Sequence, residues 1–145
     1  MKPVIFIRIA AVLTFVHAVL HTVGGVFGTI SPGPEAVAAA AMKANQFNAM
    51  GNLRTFWDFY MGMGLAVSVF LTMESVVLWF LASLARSRAS QLRPILIVFA
   101  IGYLVFAIDS HRYFFVAPVI TEILIGLCLA AAAISARPAI ETARA

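Results

Sequence analysis

The chain has 145 residues, of which 63% are hydrophobic and only 11% charged, with a mean hydropathy of +1.00. A soluble domain of this length buries only about 70% of its unfolded surface and cannot hide so apolar a composition, which excludes a soluble enzyme and a disordered regulator. The pI of 9.8 invites nucleic acid, but the ten basic residues are spread along apolar segments without forming a stripe; the lone Cys128 excludes a disulfide framework or thiolate cluster.

A helix needs about 20 mostly apolar residues to cross the ~30 Å hydrocarbon layer. In chain order, residues 3–27, 56–84, 91–108 and 113–135 qualify. None shows the alternation of a barrel strand, and unpaired backbone is too costly in lipid. The expectation is an all-α fold, a four-transmembrane-helix bundle forming a single domain over residues 1–145. Arg8 interrupts the first apolar run and no small-residue cleavage site follows it, which argues against a cleaved leader. Residues 29–53 form the first outer loop. There Ser31-Pro-Gly-Pro34 stops one helix and starts another, a short alanine-rich helix over residues 36–48. Pro118 is expected to kink the fourth span.

Orientation follows from the basic residues. Lys2, Arg8, Arg86, Arg88, Arg93, Arg137 and Arg144 fall on one side of a chain that crosses four times, and Lys43, Arg54 and Arg112 on the other. Positive residues favour the cytoplasm. A multi-pass protein of the bacterial inner membrane, with both termini cytoplasmic, is the resulting expectation.

Ionisable residues inside a span are costly and usually face the bundle interior. At about 100° per residue, Thr14, His17 and His21 share a face of the first span. Asp58 and Gly62 share one on the second, and Glu122 and Gly126 one on the fourth. By depth, His17, His21, Arg54, Asp58, Asp109, His111, Arg112 and Glu122 converge on the outer half. His17, His21, Asp58 and Glu122 would line an outward-facing pocket, with Arg54, Asp109, His111 and Arg112 at its mouth. Arg8 and Glu74 lie together in the inner half, off those faces, and are expected to form an ion pair.

The outer cluster admits several chemistries. Histidines four apart have Cβ atoms roughly 5–6 Å apart, a spacing that suits chelation of one metal ion by His17 and His21. A histidine beside a carboxylate in a low dielectric can move protons to a lipophilic substrate. A small hydrophobic or amphipathic ligand could sit among these groups, with the aromatic runs Phe56-Trp57-Asp58-Phe59-Tyr60 and Tyr113-Phe114-Phe115 as a wall or as an interfacial belt. Interhelical hydrogen bonding in an accessory subunit without a ligand would use the same residues. Gly24-x-x-x-Gly28 would serve close helix packing or a homo-oligomer. Cofactor and substrate are not specified by any of these features.

The run Phe56-Trp57-Asp58-Phe59-Tyr60-Met61-Gly62-Met63-Gly64-Leu65, with His21-Thr22 before it and Tyr113-Phe114-Phe115-x-Ala117-Pro118 after it, resembles a group of small bacterial membrane proteins similar to the DoxX type. The resemblance covers most of the chain. It implies a four-helix inner-membrane protein near respiratory or redox chemistry.

Overall fold

A computed structural model describes residues 2–136; Arg137 and Arg144 of the charge argument lie outside them. The chain is mostly helical. Helix α1 covers Lys2–Leu20 and continues as a π-helical turn over His21–Val26; α2 covers Pro34–Ala44, and strands β1 (Gln46–Ala49) and β2 (Asn52–Thr55) follow. Helices α3 (Phe56–Tyr113) and α4 (Val116–Ser135) complete the described chain. Three elements are long and apolar enough to cross a membrane: Lys2–Val26, α3 and α4. The second and third expected spans thus fall within one helical element.

That element is broken at Arg88, whose backbone (φ −131°, ψ 34°) is not helical. Serines flank the break, and Ser87 Oγ donates to the Leu84 carbonyl, in competition with the helical ladder. The break reverses the chain. Tyr103 donates a 2.9 Å hydrogen bond to Glu74, 29 residues away, across what a straight helix would make a gap of about 43 Å. Hence α3 is two antiparallel arms, one on each side of Arg88.

The residues fall into two compact units, one of residues 2–17 with 72–136 and the other of Ala18–Leu71. The core of the first draws on four helical segments. Ile7, Ala10 and Ala11 come from α1, Leu78, Ala82 and Ala85 from the first arm of α3, Leu92, Leu96 and Ala100 from the second, and Ile125, Leu129 and Ala132 from α4. Alanines at so many of these positions let backbones approach closely, which is how helices pack where lipid removes the hydrophobic drive. Within it Ser75 Oγ also donates to the Ala11 carbonyl at 3.0 Å.

In the second unit the helical ladder widens at His21. Thr22 Oγ1 donates to the Ala18 carbonyl at 2.6 Å, and Phe27 N–H closes on the Thr22 carbonyl, five residues back. The Gly24-Gly25 pair offers little resistance to this wider turn. Val26 then seats against Gly64, where an added Cβ would lie 2.9 Å from Val26 Cγ2.

Three expectations are corrected. The short helix expected over residues 36–48 ends at Ala44, where Asn45 turns its backbone N–H and its side-chain amide onto the Ala41 carbonyl. A hairpin replaces its last turn, so the fold is not wholly α. Its two-residue loop has positive φ at Met50 (52°) and Gly51 (90°), and Asn48 Oδ1 accepts the Gly51 N–H. Pro118 does not kink a helix interior, because α4 starts at Val116 and places the proline in its first turn, where no N–H is needed.

Candidate ligand-binding site

Two polar layers cross the first unit. In one, Tyr103 on the second arm of α3 lies between Thr14 on α1 and Glu74 on the first arm. Tyr103 gives its only hydroxyl proton to Glu74 Oε2 at 2.9 Å, so in the 3.0 Å bond to Thr14 the threonine is the donor. Thr14 and Tyr103 are 0% and 3% exposed, and both are satisfied by this chain.

In the other layer Glu122 of α4, 0% exposed, accepts a 2.8 Å hydrogen bond from Ser110 at its Oε1. His17 Nε2 lies 3.9 Å from the same oxygen, within ion-pair range when the imidazole is protonated and beyond hydrogen-bond reach. Glu122 Oε2 is buried with no hydrogen-bond partner among the described residues. The imidazole of His17 stacks at 6.3 Å on Phe106, from the second arm of α3.

Between the arms of α3 a cleft of about 360 Å³ is lined by Glu74, Val98, Phe99, Gly102, Tyr103 and Phe106. It joins the two layers, because Glu74 and Tyr103 belong to one and Phe106 touches the histidine of the other. Gly102 keeps it open: a Cβ added there meets nothing within 4 Å. The geometry offers one carboxylate and one hydroxyl at the edge of an apolar, aromatic wall. Such a groove can orient an amphipathic molecule by its polar end against an apolar surface.

Of the residues singled out from sequence, the structure brings His17 and Glu122 together in the first unit. Arg8 and Glu74 have other partners: the Arg8 guanidinium lies 4.5 Å over the Trp79 ring, and Glu74 takes the Tyr103 proton. An arginine on an indole face keeps its charge partly compensated without a carboxylate. Asp109, His111 and Arg112 are exposed at the end of α3, with Arg112 over Tyr113.

His21 and Asp58 belong to the second unit. His21 Nε2 contacts the Gly64 carbonyl at 3.0 Å. Asp58 accepts the Thr55 N–H at 2.7 Å while its own N–H donates to Thr55 Oγ1, a reciprocal cap on the start of α3. Arg54 and Asp58 line a second cleft of about 320 Å³ with Phe59, Gly62, Met63 and Ala66. Among the described residues no group of three or more His, Cys, Asp or Glu is arranged to hold a metal ion.

Tyr103, Ser110 and Phe106 did not stand out in the sequence. A tyrosine amid uncharged residues is the one signal that was there, since a buried phenol hydroxyl needs a partner. Compared with protein-family models, curated proteins and solved structures, the chain matches none.

Proposed function

We propose that this is a multi-pass membrane protein that binds a small amphipathic or lipophilic molecule in the cleft between the arms of α3. In this reading the chain crosses the bilayer four times, in a four-helix bundle with both termini cytoplasmic, in a bacterial inner membrane. The apolar composition and the reversal of α3 at Arg88 support the four crossings. The bias of basic residues supports the orientation. A four-helix inner-membrane protein is also what the DoxX-like resemblance implies.

The observation that carries the binding reading is the cleft itself, where Glu74 and Tyr103 present polar atoms beside Val98, Phe99 and Phe106. Gly102 lines the cleft and has open space at its Cβ position, so a side chain can be introduced there. The test is the organic extract of the protein purified in nanodiscs, read by mass spectrometry against empty nanodiscs. A retained small molecule, near one per chain in the wild type and lost in a folded Gly102→Leu variant, is expected. An extract indistinguishable from that of empty nanodiscs would turn the reading towards a structural or accessory subunit.

A further inference from the structure

We infer that the molecule held between the arms of α3 is a lipophilic organic cation, with Glu74 as its counter-charge. The inference rests on the binding reading above and names the ligand's chemistry. Glu74 has two carboxylate oxygens. Oε2 is engaged by Tyr103, whereas Oε1 takes no hydrogen bond among the described residues, on a side chain that lines the cleft. An ionised carboxylate in an apolar layer costs several kcal/mol, a cost removed by protonation or offset by a cation held beside it.

No basic side chain among the described residues forms an ion pair with Glu74. The Arg8 guanidinium lies over the Trp79 ring, and His17 Nε2 lies 3.9 Å from Glu122 Oε1. A cation bound in the cleft would supply the counter-charge that no described residue places on Glu74.

The walls say what kind of cation fits. Beside the carboxylate and the tyrosine, the lining is Val98, Phe99, Gly102 and Phe106. A hard metal ion needs about six or more oxygen ligands and finds no such set here. An alkyl or aryl ammonium needs one carboxylate and aromatic faces, which attract a cation placed within about 6 Å of the ring centre. A neutral molecule of the same shape would fill the space and leave the carboxylate uncompensated. The volume, about 360 Å³, suits a compact ligand of one ring and a short chain.

Benzyltrimethylammonium and its uncharged isostere neopentylbenzene separate the possibilities. Each is equilibrated by dialysis with the protein in phosphatidylcholine nanodiscs, and binding to empty nanodiscs is subtracted. Saturable binding of the cation, with the isostere weaker by roughly tenfold or more, is expected. In a Glu74→Gln variant shown to be folded by circular dichroism, the cation should fall to the level of the isostere. Equal binding of the two by the wild type would overturn the cation inference and leave the cleft as a site for neutral ligands. Binding of neither would overturn the inference too, while the mass spectrum of the organic extract separately decides whether a ligand is held at all.

Discussion

Tyr103 donates a 2.9 Å hydrogen bond to Glu74 from 29 residues further along the same helical element. This bond closes the hairpin of α3, and through the 3.0 Å contact with Thr14 it ties that hairpin to α1. Removing the hydroxyl in Tyr103→Phe leaves Thr14, 0% exposed, without its acceptor. Interhelical bonds in bilayers average about 0.6 kcal/mol and reach roughly 1.7, so the expected loss is about 1–3 kcal/mol. Unfolding in mixed micelles measures it. Thr14→Val should cost less, because it breaks only one of the two bonds.

The pair formed by His17 and Glu122 makes a different prediction. Each residue is buried, and removing one takes a polar neighbour from the other away from water. His17→Leu and Glu122→Leu should each destabilise the protein, whereas the double variant should be less destabilised than the sum of the two by about 1 kcal/mol or more. A double-mutant cycle reads this directly. Strict additivity would show that the 3.9 Å approach carries no coupling.

Gly64 is required by space. A Cβ there would sit 2.9 Å from Val26 Cγ2, and valine is too stiff to move aside. Gly64→Ala should therefore cost about 1–3 kcal/mol, as overpacked sites do. In a Val26→Ala background the same change should be nearly neutral. Thermal unfolding of the four proteins checks both statements.

Features belonging to a single helix were legible in the sequence. The apolar runs and their charge-free lengths mark the helices, and a period of about 100° places His17 and Glu122 on the polar faces of theirs. Partners across helices are not encoded that way. Arg8 and Glu74 share a depth, but depth does not say that Trp79 stands over the guanidinium or that Tyr103 reaches the carboxylate first. The hairpin over Gln46–Thr55 was hidden because Met50 occupies a positive-φ turn position where asparagine or glycine would have announced it. The widened turn at His21–Val26 depends on a threonine hydroxyl bonding the backbone, which a hydropathy pattern does not register.

The reversal of α3 at Arg88 underlies the cleft and, in the function proposed above, the four crossings. Single cysteines introduced by Ser87→Cys and His111→Cys, each in a Cys128→Ala background, test it with a membrane-impermeant maleimide on intact cells. Labelling is expected at position 111 in intact cells and at position 87 only after the membrane is opened. Labelling of both positions from the same side would contradict the reversal.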